Sequence, residues 1–391
     1  MKYFSAQYVF TGTGPPLKRP VITASDDGTI ISIEETGGQL KEKNNIEFYN
    51  GVITPGFVNC HCHLELSFLR NEIKPSAGLY GFLLELNEKR FNINKDKEKC
   101  AGKADKEMSA EGVVLCADIC NSEITFRVKK ESNIRYINLI EVFGIDHRKA
   151  RQRIEDALFL AESSKKNNLT CYITPHSVYS VPLPLFRLIR KHSKNNKLSS
   201  VHFLESAEEI SFIENHSGPL MATYRHFMPP GMVPLTAKSH IKAITEEVTG
   251  SGHLILVHNT FIEKKHIAAL KKRENLHYCL CPNSNLMIEG KLPPVPLLME
   301  ENCSIVIGTD SLSSNTNLSI LSELKTLSAH FPQLSLEILI KWATYNGAAA
   351  LSETTLMGEI SPGKRPGLVL IKDLDLQNLK LLPESKARRL L

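Results

Sequence analysis

From Thr54 to about Ser352 the chain alternates short β-branched runs with longer segments of helical periodicity, and this alternation restricts the fold more than any other feature. Candidate strands are the apolar run ending at Asn59, then Val113–Ile119, Arg135–Phe143, Thr170–Thr174, Ser200–Leu204, Leu254–His258, His277–Leu280 and Ile305–Gly308. Helical patterns such as Ala150–Lys165, Leu183–His192, Lys264–Arg273 and Leu318–His330 fall between most of them. Eight strands separated by helices predict an α/β protein built on a (β/α)8 TIM barrel.

The flanks read differently. Residues 1–53 carry alternating strands and the turn signal Asp26-Asp27-Gly28, and residues 356–391 contain one more apolar run, Leu368-Val369-Leu370-Ile371. The two ends are expected to build one small β-sandwich domain beside a barrel of residues 54–355. The connection 217–252 is rich in Pro and Gly, with Met228-Pro229-Pro230-Gly231 at its centre. A connection of that length reads as a lid, a substrate-binding element or a plain insertion.

Composition narrows the function classes. A chain of 391 residues that is 42% hydrophobic and 23% charged is neither disordered nor limited to one minimal core. No stretch reaches the length of a membrane span. The segment Met1–Phe10 reads as a strand and lacks the apolar core of a signal peptide, which points to the cytoplasm. Nine cysteines scattered through apolar runs fit reduced, buried thiols rather than a disulfide framework. The net charge of +5 is modest, and basic patches such as Lys271-Lys272-Arg273 lack interleaved aromatics, which argues against nucleic acid as a partner.

A barrel places its chemistry at the C-terminal ends of its strands. The first strand runs into Asn59-Cys60-His61-Cys62-His63, where alternation turns His61 and His63 to one face as a ligand pair for a borderline metal such as zinc. His176 follows the fourth strand, His202 lies in the fifth with Glu205 three residues on, His258 ends the sixth and Asp310 the eighth. The same alternation sends Cys60 and Cys62, and likewise Cys279 and Cys281, to the helix-facing side as small packing residues. Glu208 and Glu209 read as a solvated helix face. Glu65 either reaches the pocket or caps a helix.

These motifs together resemble the amidohydrolase superfamily, and within it the metal-dependent aminohydrolases. The residues that carry the match are Pro55-Gly56-Phe57-Val58-Asn59-x-His61-x-His63, Pro175-His176, His202-x-x-Glu205-Ser206, Val257-His258-Asn259, Cys281-Pro282-x-Ser284-Asn285 and Gly308-Thr309-Asp310-Ser311. The resemblance implies that His61, His63, His202 and Asp310 bind one divalent metal ion, zinc by default, with iron or manganese compatible with the same donors. The region at the end of the fourth strand, Cys171–His176, holds no lysine to bridge a second metal, so the site is expected to be mononuclear.

The reaction implied is deamination of an amino-substituted heterocycle by attack of metal-bound hydroxide, with release of ammonia. Asp310 would take a proton from the water, His258 would hydrogen-bond the attacking oxygen, and Glu205 would protonate a ring nitrogen and then the leaving amine. His176, Ser284 and Asn285 are expected to bind this small-molecule substrate. The resemblance points to an adenine-type nucleoside derivative: aminofutalosine, adenosylhomocysteine or methylthioadenosine. The run Leu64-Glu65-Leu66-Ser67 is similar to the aminofutalosine branch, while Asn71–Leu79 lacks the tryptophan-containing loop of adenosylhomocysteine deaminases; the single tryptophan, Trp342, falls late in a helix. Chlorohydrolases, cyclic amidases and inactive scaffold barrels share the fold, although the presence of all four metal ligands weighs against a scaffold. Members of the superfamily commonly form homodimers, and a homodimer is expected here.

Overall fold

The computed structural model of the protein describes residues 1–39, 45–75, 78–227, 236, 239–248, 250 and 252–391. The N-terminal region supplies strands β1 (Lys2–Val9), β2 (Leu17–Lys18), β3 (Val21–Ala24), β4 (Ile30–Glu34) and β5 (Ile46–Pro55). The central region supplies β6 (Phe57–Cys62), β7 (Val113–Cys120), β8 (Arg135–Val142), β9 (Thr170–Pro175), β10 (Leu198–Phe203), β11 (His253–His258), β12 (Leu276–Leu280) and β13 (Ser304–Ile307). Two strands close the chain, β14 (Leu368–Lys372) and β15 (Lys386–Arg389).

All eight central strands form at the places the sequence marks. They are arranged as two four-stranded parallel sheets, β6-β7-β8-β9 and β10-β11-β12-β13, with helices in the connections. β7 is buried along its whole length, as a strand covered on both faces must be. Ladders stop at the two seams, where single parallel bridges, Cys62↔Asp310 and Ser177↔His202, join the sheets. Both bridges lie at C-terminal strand ends. At one seam the Thr309 and Asp310 amides donate to the His61 carbonyl at 3.0 Å; at the other the His202 amide donates to the His176 carbonyl at 2.8 Å.

The seam at His61 depends on Gly308. A Cβ there would stand 2.8 Å from both Cys279 Sγ and His61 Cβ, so only glycine lets the eighth central strand approach the first. Gly56, between β5 and β6, is held in the same way: a Cβ would meet the Pro366 carbonyl at 2.6 Å.

Both termini contribute to a single seven-stranded sheet of order β15-β14-β5-β1-β3-β4, with β2 on β1. The small domain was expected to be a β-sandwich; the described strands make one hydrogen-bonded sheet instead. Its apolar face follows the period of two, with Phe4, Ala6, Ile22, Leu368 and Leu370 in one buried cluster. The Asp26-Asp27-Gly28 signal falls in the β3–β4 hairpin, with Gly28 at φ +84°.

Cys60, Cys279 and Cys281 pack with Val58, Ile137, Val257 and Val306 in a cluster fed by both central sheets and by Ala348 and Ala350 of the helix Tyr345–Ala350, whereas Cys62 joins the larger cluster that contains Met108. Cys60 and Cys62 enter different clusters, and the β6–β7 pairing shifts register between Asn59 and Cys62. Among the described residues no helix is long and apolar enough to cross a membrane. The Met228–Gly231 part of the long connection lies outside the described residues; flanking it are a helix, Pro219–Phe227, and the segment 239–248.

Candidate active site

The seams gather the chemistry. His61 Nε2 lies 3.1 Å from His63 Nε2, and Asp310 Oδ1 stands 3.7 Å from the first and 3.5 Å from the second. His202 joins them, its ring centre 4.8 Å from that of His61. Its Nδ1 is 2.8 Å from the His176 carbonyl, a contact that fixes the ring and leaves Nε2 free. Two residues here sit in the left-handed region, His258 at φ +76° and Asp310 at φ +57°, a strain concentrated where the strands leave the sheets.

Electrostatics favour a cation among these groups. Burial first, then the neighbouring His63, His258 and His176 rings, hold the His61 imidazole well below its ordinary pKa. His202 is lowered by burial and by the same cluster. Both are therefore neutral, as metal ligands must be. Burial alone would raise the Asp310 carboxyl; His63, His258 and the Ser284 and Ser314 hydroxyls outweigh it and bring the group below its ordinary value. Those hydroxyls donate to Asp310 Oδ2 at 2.6 and 2.7 Å, leaving Oδ1 to face the histidines. Two converging imidazole nitrogens with a carboxylate oxygen, all buried, fit a divalent metal.

Beside this cluster is a pocket lined by Leu79, Glu205, His258, Ser284, Asn285 and Glu289. Glu205 Oε2 lies 3.4 Å from His258 Nε2, while Oε1 is buried without a partner. Burial, then the charge of Glu209, push the Glu205 carboxyl well above its ordinary value against the opposing hydrogen bond from Tyr179. A carboxyl that holds its proton more tightly than usual beside a pocket is suited to act as a proton donor.

The structure thus brings His61, His63, His202, His258 and Asp310 together, with Glu205 beside His258, and with His176, Ser284 and Asn285 around them. His176 sits at the rim, its Nδ1 2.6 Å from Ser180 Oγ and its ring beside Phe143 and Tyr179. Ser284 lines the pocket, but its hydroxyl is engaged by Asp310; Asn285 Nδ2 donates to Thr260 Oγ1. Glu65 caps no helix: it accepts from the Asn121 amide at 3.1 Å and the Ser122 hydroxyl at 3.0 Å.

The solvated face expected at Glu208 and Glu209 is absent. Glu208 accepts the Tyr80 amide at 2.6 Å, and Glu209 is wholly buried, because the helix Ala207–Asn215 turns its first turn inward. Sequence reasoning missed Tyr179, Ser314 and Glu141, whose Oε1 lies 3.7 Å from His202 Nδ1. Tyr179 and Ser314 sit within four residues of a recognised site residue, the one signal that would have found them. Cys62, Cys116 and Asp118 also cluster, but the Lys129 ammonium 2.5 Å from Asp118 opposes a cation there.

A sequence model of the amidohydrolase family matches residues 52–387. An adenosine deaminase of Helicobacter pylori is 29% identical over 336 residues, covering 82% of this chain and 79% of that protein. A 5-methylthioadenosine/S-adenosylhomocysteine deaminase of Clostridium tetani is 24% identical over 364 residues, covering 89% and 79%. The crystal structure of Helicobacter pylori aminofutalosine deaminase in complex with methylthio-coformycin superposes with a TM-score of 0.83 at 25% identity, covering 96% of this chain and 93% of that one. A zinc complex of atrazine chlorohydrolase from Arthrobacter aurescens, at 14% identity and a TM-score of 0.71 over 94% of this chain and 86% of that one, shares the fold.

Proposed function

This chain belongs to the amidohydrolase family, and on that footing we propose that it is a metal-dependent deaminase of an adenine-type nucleoside derivative. Aminofutalosine, adenosylhomocysteine and methylthioadenosine are the candidate substrates, in keeping with the deaminases it is similar to. The observation that carries the reading is the partnerless, buried Oε1 of Glu205, beside His258 and next to the histidine–aspartate cluster.

In this proposal His61, His63, His202 and Asp310 hold the metal, zinc foremost. When bound, it would supply Lewis acidity towards water and the ring under attack. Asp310 accepts a proton at Oδ1, while Ser284 and Ser314 keep Oδ2 fixed. His258 hydrogen-bonds the incoming oxygen. Glu205 gives its proton to a ring nitrogen from Oε1; of the two protons that water releases, one to Asp310 and one as the carbonyl forms, one passes through Glu205 to the departing amine and the other restores Glu205, so that water and substrate become a ring carbonyl and ammonia. His176, Ser284 and Asn285 orient the substrate.

The proposal includes closure of the two central sheets into one eight-stranded barrel, supported by the bridges at both seams. It retains the divisions 1–53, 54–355 and 356–391, although β5 runs across the first boundary and its last residues pair with β14. A homodimer and a cytoplasmic setting complete it, on the strength of family resemblance.

The test is bound-metal analysis of purified protein with ammonia release on aminofutalosine, adenosine, methylthioadenosine, adenosylhomocysteine, guanine, cytosine and aminotriazines. About one metal per chain is expected, with ammonia from an adenine nucleoside and none from Glu205→Gln. Metal without ammonia from any of these compounds overturns the deaminase reading.

A further inference from the structure

We propose that Glu209 and His240 act as a positioning pair behind Glu205, with the segment 239–248 ahead of β11 supplying His240. This rests on the reading of Glu205 as the proton carrier. Glu209 is the third residue of the helix Ala207–Asn215, whose N-cap Ser206 accepts the Glu209 amide at 3.0 Å. In an ordinary capping box the glutamate at this position reaches back to the amide of the N-cap residue. Here it reaches one residue further, and Oε2 accepts the Glu205 amide at 2.8 Å. The acid is thereby held through its own backbone.

A capping glutamate is usually at the surface, where water satisfies its second oxygen. Glu209 is 0% exposed, so Oε1 has no such recourse, and an unpaired buried carboxylate oxygen is costly. His240 packs against that oxygen, with Nε2 2.9 Å from Oε1, a close contact whose angles do not make a hydrogen bond between the two atoms. It is itself 2% exposed, sits directly after the N-cap Ser239 of a short helical turn, and lies edge-on to Phe203 at the end of β10. Neither residue lines the pocket. Glu209 therefore works through Glu205, and His240 works through Glu209.

The experiment compares wild type, His240→Leu, His240→Gln and Glu209→Gln by kcat, KM, metal content and hydrogen exchange at the Glu205 amide. In His240→Leu, kcat is expected to fall about 10-fold, within the range for outer-shell partners, with KM and metal content within about twofold. Exchange at the Glu205 amide is expected to quicken by about 10-fold as Glu209 loses its anchor. His240→Gln, which keeps an N–H donor, is expected to recover most of both. Wild-type kcat and wild-type exchange in His240→Leu overturn the proposal. Should that variant fail to fold, the isosteric Glu209→Gln decides on the same two readouts. A wild type that releases no ammonia sinks the deaminase reading, whereas the exchange rates still decide the pair.

Discussion

Ser284 Oγ, on the helix that follows β12, donates to Asp310 Oδ2 at 2.6 Å, and this contact fixes which carboxylate oxygen faces His61 and His63. Ser314 donates to the same oxygen at 2.7 Å. Hydrogen bonds behind a ligand orient it and tune its basicity. Ser284→Ala is expected to cost about 10-fold in metal affinity or kcat, and the Ser284→Ala/Ser314→Ala pair about 100-fold. Competition with a chromophoric chelator and steady-state kinetics measure both. Undiminished affinity and rate in the double variant would show that Asp310 needs no such support.

A second relationship stabilises the base of the site. Lys129 and Asp118 form a fully buried pair at 2.5 Å, and Asp118 Oδ1 accepts the Leu64 amide, directly after His63, at 2.7 Å. Removing one partner of a buried pair leaves the other charge uncompensated. Lys129→Met is expected to destabilise the fold by about 3–5 kcal/mol. Lys129→Met/Asp118→Asn, which removes both charges, should recover part of that loss. Urea unfolding of the two variants checks the order; a double variant less stable than the single one would contradict it.

His277, in β12 near its N-terminal end, predicts a pH dependence far from the chemistry. Burial first, then His253, lowers it from 6.5 to about 4; it lies 2.8 Å from His253 Nδ1 and 2.8 Å from Ser304 Oγ. Between these two values the unfolded chain binds the extra proton, so stability falls as the pH drops from about 6.5 towards 4, by up to about 3 kcal/mol. In His277→Gln this contribution to the slope should vanish. Urea midpoints at pH 7.5 and 5 compare the two proteins, and parallel losses in both would assign the acid sensitivity elsewhere.

Much of the site is legible in the chain because barrel strands present their last residues to a common point: His61, His202, His258 and Asp310 each follow or end an apolar run. What could not be read are properties of packing. Cys60 and Cys62 pack into different clusters, where the pairing with β7 shifts register between them. Glu209 looks like a surface residue until its helix is docked, and His240 is brought to it only by the packing of the segment 239–248. Lys129 sits in the charged sequence Arg127-Val128-Lys129-Lys130, where nothing distinguishes the one lysine that turns inward.

The pocket wall at Leu79 yields the last prediction. Leu79 opens a fourteen-residue helix, Leu79–Asn92, whose first amides have no partner within the helix. Glu289 Oε1 accepts the Leu79 amide at 2.9 Å, Glu208 Oε2 the Tyr80 amide at 2.6 Å, and the Ile288 carbonyl the Gly78 amide at 2.9 Å. Two carboxylates at the positive end of the helix hold this wall against the helices that follow β10 and β12. Neither amide contact reaches the reacting atoms, so losing them should loosen binding rather than slow the chemistry. Glu208→Ala/Glu289→Ala is expected to raise KM about 10-fold, the equivalent of about 1.4 kcal/mol, with kcat within about threefold of wild type. A fall in kcat at unchanged KM would instead place one of these carboxylates in the proton transfers themselves.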